Sequence, residues 1–420
     1  MKKIREYIMG TDVQMFLANT PQLTFETTDA CNLNCFYCGY GTLYNEYNDR
    51  TCNYLSPETA INFLNYIANL WQTNANRSTH SNIAISFYGG EPLMNFSFIE
   101  EVVTFIKREL SGKHREFTFN ITTNAVLLDR YMDFMVENEF RILISLDGNK
   151  HNNSYRVDHA GKESYERVAK NINLLRNKYP DYFEKHVNFN SVLHNRNSIP
   201  VLHDYFKQSF GKYPSIGELN DTNIRQDMKE VFTKTYRNPT ESLMQSENYS
   251  EIELDMFLKS PTYGSVAQFL INNSEFKYDN YNELLYGKPS IDNKTPTGTC
   301  FPFGRKVFIT ANGKLLPCER IGHQHMLGQI TKDSVDIDFE AIAKRYNQYY
   351  AKLEKQCKGC FNKYGCTQCL FYLEDIEKDV CKCKGFMNQK TFEDYRNTQL
   401  HFLARNPEAY SKIMNDVKYR

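Results

Sequence analysis

The chain has 420 residues, 41% of them hydrophobic, and its 50 Lys and Arg balance its 50 Asp and Glu. That length buries a sizeable core and predicts two or three domains, while the charge balance argues against a nucleic-acid binder or a polybasic membrane-surface protein. No apolar run approaches a membrane span and no apolar stretch follows the charged start Met1-Lys2-Lys3, so the expectation is a cytoplasmic protein with no nucleic-acid and no membrane partner.

Between Leu23 and about Asp221, short apolar runs alternate with longer amphipathic ones, the pattern of successive βα units on a parallel sheet. The pattern predicts strands over 23–28, 83–88, 117–122, 141–146, 186–192 and 215–219. Helical spacing falls over 57–71, 97–110 and 164–178, the first with Ser56 as N-cap and Pro57 at the first position. Six such units make an α/β fold, a partial (β/α)6 TIM-like barrel, with its active site at the C-terminal ends of the strands.

The unusual polar motifs all fall on that rim. Behind the first strand stand Cys31, Cys35 and Cys38, three thiols on one short loop. Such a set can bind three irons of a [4Fe-4S] cube and leave the fourth open to other ligands. A zinc knuckle wants four ligands in two pairs, and no fourth Cys or His lies at such spacing nearby. Gly89-Gly90-Glu91-Pro92 follows the second strand, where the glycines allow close backbone approach to a ligand and Glu91 can compensate a cation. Thr123 and Asn124 end the third strand, Ser145 and Asp147 the fourth, and Ser191 the fifth.

The spacing Cys-x3-Cys-x2-Cys, with Tyr37 just before the third Cys, resembles the signature of the radical S-adenosylmethionine (SAM) enzymes. The resemblance implies that SAM chelates the open iron and is split to a 5'-deoxyadenosyl radical that takes hydrogen from an inert C–H bond. It also implies a set of cofactor-binding residues. Tyr37 would shelter the adenine, Gly89, Gly90 and Glu91 would receive the amino group, and Ser145 and Asp147 would offer acceptors to the ribose hydroxyls or a carboxylate contact. Arg156 would form a fork with the methionyl carboxylate. Thr123, Asn124, Ser191 and Leu193 complete the set, the last two within a stretch that flanks the adenine in relatives.

Residues 222–299 are rich in Asn, Tyr, Ser and Glu, and 243–256 is too polar for a core helix. The expectation is a solvated bridging region with short helices. Of the twelve Cys, none lies between Cys52 and Cys300, and eight follow from there. Disulfides are not expected in a reducing compartment, so metal sites at both ends of the chain are the economical explanation.

The run Cys300, Gly313-Lys314-Leu315-Leu316-Pro317-Cys318, Cys357-Lys358-Gly359-Cys360, Cys366, Cys369 and Cys383 resembles the SPASM domain, a small cysteine-rich module that carries auxiliary iron-sulfur clusters. Cys366-x2-Cys369 departs from the x3 spacing of that pattern. A hairpin of 307–310 with 314–316 around Ala311-Asn312-Gly313 would bring Cys300 and Cys318 close. On this resemblance one auxiliary cluster takes Cys357, Cys360, Cys366 and Cys383, with Cys381 the alternative last ligand, and the other takes Cys300, Cys318 and Cys369, leaving Cys52 and Cys381 spare. One zinc on Cys357, Cys360, Cys366 and Cys369 is the alternative, and it strands the remaining thiols. Glu319 occupies the place of an acidic residue that takes up a substrate proton in sulfatase-maturating relatives, with a salt bridge to Arg320 or a nearby lysine as the plain alternative.

The resulting layout is an N-terminal extension (1–22), the partial barrel (23–221), the bridging region (222–299), a SPASM domain with a β-hairpin (300–390) and a packing helix (391–420). The expected function is a radical SAM/SPASM peptide maturase that forms an oxidative side-chain crosslink, such as a thioether. Its partners would be a precursor peptide or protein and a low-potential electron donor such as flavodoxin or ferredoxin. An anaerobic sulfatase-maturating, formylglycine-forming enzyme is the rival, and a non-catalytic zinc module the remote one. Residues 1–22 are too few for a winged-helix leader-binding module, so a leader would dock elsewhere or arrive on a separate protein.

Overall fold

The computed structural model describes residues 5–45, 51–77, 82–112, 115–221, 224–259, 261–273, 295–373 and 375–418. Helix α1 (Gly10–Ala18) leads into β1 (Gln22–Thr28), and then α2 (Pro57–Trp71), β2 (Asn82–Gly89), α3 (Phe96–Phe105) and β3 (Glu116–Thr123) follow. The barrel continues through α4 (Leu128–Glu137), β4 (Arg141–Ser145), α5 (Tyr165–Lys178), α6 (Pro180–His186), β5 (Val187–Val192), α7 (Ile199–Phe210) and β6 (Ser215–Gly217). All six strands run parallel in the order β1 to β6, so their C-terminal ends share one rim.

Local chemistry accounts for the elements. In α2 the Ser56 side chain accepts from Thr59 N and Pro57 opens the helix, while Phe63, Leu64 and Ile67 turn inward. Six of the seven β1 residues are buried, as befits a strand covered on both faces. Phe25, Phe87 and Phe140 form a stacked row between the sheet and its helices. The helix expected over 97–110 is not uniform, because α3 passes at Ile106 into a π-turn ending at Leu110, with Ser111 N donating to Ile106 O at 2.9 Å. The wider turn keeps both Ile106 and Leu110 buried.

The bridging region differs from a solvated linker. Its described part forms α8 (Lys229–Thr235), α9 (Pro239–Met244), α10 (Tyr249–Asp255) and α11 (Pro261–Asn273), while its first residues, 222–223, residue 260 and 274–294 lie outside the described residues. Leu243, Ile252 and Met256 are buried with Leu193 and Ile199 of the barrel. The apolar residues are too sparse to make a run, but the short helices converge them on one point.

The C-terminal part joins the same sheet. Strands β7 (Val307–Ile309), β8 (Lys314–Leu316), β9 (Gly328–Ile330) and β10 (Val335–Asp336) extend it to ten, and β7 pairs parallel with β1, Leu23 opposite Val307. The β7–β8 hairpin turns at Gly313, whose φ of +75° and close approach to Ile330 O exclude a side chain. The long helix α12 (Phe339–Lys358) packs on α1. In place of one closing helix, α13 (Gln389–Arg405) and α14 (Pro407–Lys418) break at Asn406-Pro407 and cover the bridging region, with Phe402 stacked on Phe257. Among the described residues no helix is long and apolar enough to cross a membrane.

Asn347 of α12 holds the chain ahead of α1: its Oδ1 accepts from Tyr7 N at 2.9 Å and Ile8 N at 3.2 Å, and its Nδ2 donates to Ile8 O at 2.8 Å. Asn347→Ala strands these buried backbone groups at a cost of about 2 kcal/mol. We expect a lower urea midpoint with an unchanged slope, measured by circular dichroism; an unchanged midpoint would show that the clamp contributes nothing.

Candidate active site

The cysteine loop leaves β1 with its backbone tied on both sides. Thr28 Oγ1 accepts from Ala30 N and donates to Asn53 O, and the Asp29 carboxylate accepts from Asn53 N and Nδ2. On the other side Asn34 N donates to Val157 O at 2.7 Å and Phe36 N to Tyr155 O at 3.2 Å. Tight turns then gather the thiols, with Cys38 N on Cys35 O and Gly41 N on Cys38 O. Leu33 N and Asn124 Nδ2 point at Cys31 Sγ, at 3.4 and 3.7 Å, and Tyr40 N points at Cys38 Sγ at 3.4 Å. Burial pushes the Cys31 thiol well up and that of Cys35 up to about 12, the latter opposed by the Arg156 guanidinium; each thiol is further raised by its neighbours in the loop.

Gly89 and Gly90 are pressed against the cysteine loop itself. A Cβ on Gly89, which has φ +136°, would stand 2.2 Å from Thr28 O, and one on Gly90 2.2 Å from Ala30 O. It is the cysteine loop's own backbone that demands the glycines. Gly90 N and Glu91 N donate to those same carbonyls at 2.9 Å. Glu91 does not stand toward a cation: fully buried, it accepts from Thr123 Oγ1, Asn124 N and Leu93 N at 2.7 to 3.1 Å. Burial, opposed by these hydrogen bonds, pushes its carboxyl up to about 7. Asn124 continues the chain of contacts, donating to Asn32 Oδ1 at 2.7 Å.

Asp147 and Arg156 face each other instead of opening onto the rim. Asp147 is 0% exposed and accepts from Arg156 Nε at 2.9 Å, Arg156 Nη2 at 3.2 Å, Val192 N at 2.9 Å and the Tyr37 hydroxyl. Burial opposes its charge, but Arg156 and His194 outweigh it and hold the carboxyl well below the usual range. Tyr37 is buried, stacked on His194 at 5.3 Å and beneath the Arg156 guanidinium at 5.6 Å. As placed, Asp147 offers no free acceptor to a ribose, and two of the Arg156 nitrogens are already engaged. Ser191 Oγ donates to Leu146 O and Leu193 is buried against the bridging helices, while Ser145 is half-buried at the end of β4. Sequence reading missed His194 and Asn153, whose Oδ1 accepts from Asp147 N. The signal lay in the register: Ser145 pairs with Asn190, so the residues after β4 and β5 meet.

The C-terminal thiols fall into two neighbourhoods. Burial pushes Cys357 up to about 11 and also raises Cys383, each raised further by the neighbouring Cys360 and Cys366, and Met387 N points at Cys360 Sγ at 3.4 Å. Cys318, Cys369 and Cys300 form the other, in which burial pushes Cys318 up to about 11. Gly298 lies so close to Cys366 O that a Cβ would clash at 1.9 Å, and Thr299 Oγ1 accepts from Leu370 N, which fixes Cys300 against this loop. Cys381 is buried in the main core beside Asp375 and Lys352, and Cys52 is exposed. Glu319 pairs with Lys306 at 3.0 Å, not with Arg320; burial raises its carboxyl, but Lys306 prevails and holds it below the usual value.

Among the described residues no three Cys, His, Asp or Glu side chains meet as a single bare ion requires. What the loops do supply is thiols in sets, with N–H groups directed at sulfur, a donor chemistry that fits iron-sulfur clusters.

Residues 25–198 match the Radical SAM superfamily. The cysteine-type anaerobic sulfatase-maturating enzyme of Clostridium perfringens (strain 13 / Type A) is 23% identical over 393 residues, which cover 90% of this chain and 96% of that enzyme. The radical SAM cyclopropyl synthase TigE of Paramaledivibacter caminithermalis is 24% identical over 216 residues, 50% of this chain and 42% of that one. Among solved structures, native anSMEcpe with bound AdoMet shares the fold at a TM-score of 0.61 and 20% identity, covering 94% of this chain and 99% of its own. Residues 25–198 therefore form a radical SAM domain, of a superfamily that works with a [4Fe-4S] cluster and SAM, in a chain homologous along most of its length to the anaerobic sulfatase-maturating enzymes.

Proposed function

We propose that this enzyme oxidises a side chain of a ribosomally made peptide or protein and forms a crosslink, such as a thioether. When bound, its cofactors supply a 5'-deoxyadenosyl radical and acceptors for the second electron of the oxidation. Cys31, Cys35 and Cys38 would hold the SAM-binding cluster. Cys300, Cys318 and Cys369 would hold one auxiliary cluster, and Cys357, Cys360, Cys366 and Cys383 the other. The carrying observation is that the first auxiliary set has three thiols, while Cys381 faces Asp375 and Lys352 and Cys52 stands on an exposed loop. One coordination position is then left for a substrate cysteine, since soft ligands suit iron-sulfur sites.

The chain's own residues would position and protect. Backbone at Gly89 to Glu91, together with Ser145, Ser191 and Leu193, would line the SAM site, and Glu91 would act through Thr123 and Asn124. Asp147 would be a positioning residue, since it holds Tyr37 and Arg156 without reaching the rim. Glu319, kept ionised by Lys306, would take up the proton released from substrate. A ferredoxin or flavodoxin would supply low-potential electrons, in a reducing cytoplasm that suits twelve free thiols. Formylglycine formation is the second reading, favoured by the match along 96% of a sulfatase-maturating enzyme.

Asp147→Asn leaves the Arg156 cation buried without a counter-charge, and we expect a loss of about 3–5 kcal/mol in stability, seen as a lowered thermal midpoint. An unchanged midpoint would show that the carboxylate does not anchor the site. The activity is tested by anaerobic co-expression with a short peptide encoded beside the gene, followed by mass analysis and a carbonyl-reactive hydrazide. Loss of two hydrogens without hydrazide labelling, abolished by changing Cys31, Cys35 and Cys38 to Ala, supports the crosslink. Hydrazide labelling of a sulfatase-derived peptide supports formylglycine instead and overturns it.

A further inference from the structure

Of the three tyrosines that helix α12 buries, Tyr346 and Tyr350 stand one turn apart and are both 0% exposed. The Tyr346 hydroxyl has no hydrogen-bond partner among the described residues. Native proteins rarely bury an O–H unpaired, and where they do a missing partner group is the first explanation to seek. Its ring is fixed: Tyr350 meets it at 6.2 Å between centroids and Phe371 edge-on at 5.8 Å. Phe371 stands two residues beyond Cys369, and the Tyr346 oxygen lies within electrostatic reach of Cys369 and Cys300. The orphan hydroxyl therefore lies within reach of the C-terminal thiol set that lacks a fourth member.

We propose that Tyr346 donates its phenolic hydrogen bond to a sulfur of the cluster held by Cys300, Cys318 and Cys369, and thereby sets that cluster's reduction potential. The inference rests on the reading of those three thiols as cluster ligands given above. Donation is favoured over ligation because iron in a sulfur-rich cluster prefers soft donors to a phenol oxygen, and because the phenolic O–H has no acceptor among the described residues. A hydrogen bond to sulfur stabilises the more negative, reduced cluster and moves its potential upward.

The test uses the anaerobically reconstituted enzyme with Cys31, Cys35 and Cys38 changed to Ala, so that only C-terminal clusters contribute to the spectrum. Cys300→Ala identifies which signal belongs to the three-thiol set. Tyr346→Phe removes an oxygen that makes no hydrogen bond among the described residues, and in a redox titration followed by electron paramagnetic resonance that signal's midpoint should move to more negative potential. Pulsed resonance of the unsubstituted Tyr346 protein should show a strongly coupled proton on the reduced cluster that exchanges in deuterated water, a measurement independent of how the variant folds. An unmoved midpoint without such a proton overturns the inference while the cluster assignment stands. Unchanged iron content and signals in Cys300→Ala overturn the cluster assignment and the inference with it. A phenolate-to-iron absorption band in the unsubstituted Tyr346 protein replaces donation by ligation and likewise overturns it.

Discussion

One buried carboxylate organises the rim. Asp147, just beyond β4, binds Arg156 through two nitrogens, and that arginine fixes the segment whose Tyr155 and Val157 carbonyls receive the cysteine loop's Phe36 and Asn34 amides. The same carboxylate takes the Tyr37 hydroxyl from inside the loop and the Val192 amide from the end of β5. Three separate pieces of chain are thus referred to one point. Removing an ion from water costs several kcal/mol even after relaxation, and a buried pair holds only when its geometry and its other hydrogen bonds are complete. Here the acceptor is saturated, so misplacing any of the donors would leave charge unpaired. The cost of burying Asp147 is what makes the loop's position specific.

Glu91 does the equivalent work between β2 and β3 with a different charge. It accepts three neutral donors and no cation, and burial lifts its carboxyl to about 7, whereas Arg156 keeps Asp147 ionised. Two fully buried acids beyond the strand ends therefore differ by whether a guanidinium lies beside them. Glu91 can hold its neighbours in either protonation state at modest cost, because losing the charge still leaves an oxygen acceptor. Asp147 cannot, because its protonation would abandon Arg156.

The elements were legible where periodicity and capping agreed. Ser56 and Pro57 mark the start of α2, and the five longer barrel strands fall within a residue or two of where alternating apolar runs put them. The rim motifs were legible as motifs because three thiols, paired glycines and a Ser-x-Asp turn are unusual chemistry at strand ends. What the sequence hid was direction. Nothing in Gly89-Gly90 says that their space is taken by Thr28 and Ala30 carbonyls, and nothing in Asp147 says that its partner is Arg156, nine residues on. The bridging helices were hidden for another reason: Leu243, Ile252 and Met256 are buried only because α7 and β5 bring Ile199 and Leu193 to meet them. Long-range burial of this kind leaves no local period.

The attachment of the C-terminal part to β1 was hidden for the same reason, and it bears on the chemistry. The acidic residue of that strand, Glu26, is buried, and it accepts from Tyr40 of the cysteine loop at 2.6 Å and from Ala311 N in the β7–β8 turn at 2.8 Å. One side chain therefore links the loop of the first three thiols to the hairpin that carries Cys318 and Glu319. With β7 hydrogen-bonded along β1, the two groups of thiols share one sheet and are not joined by a linker. The separation between them is then set by strand register, which changes only in whole-residue steps that would turn every buried side chain to the other face. The loops and bridging helices around the rim can change shape without touching that register, whereas one thiol group cannot move toward the other without breaking the sheet.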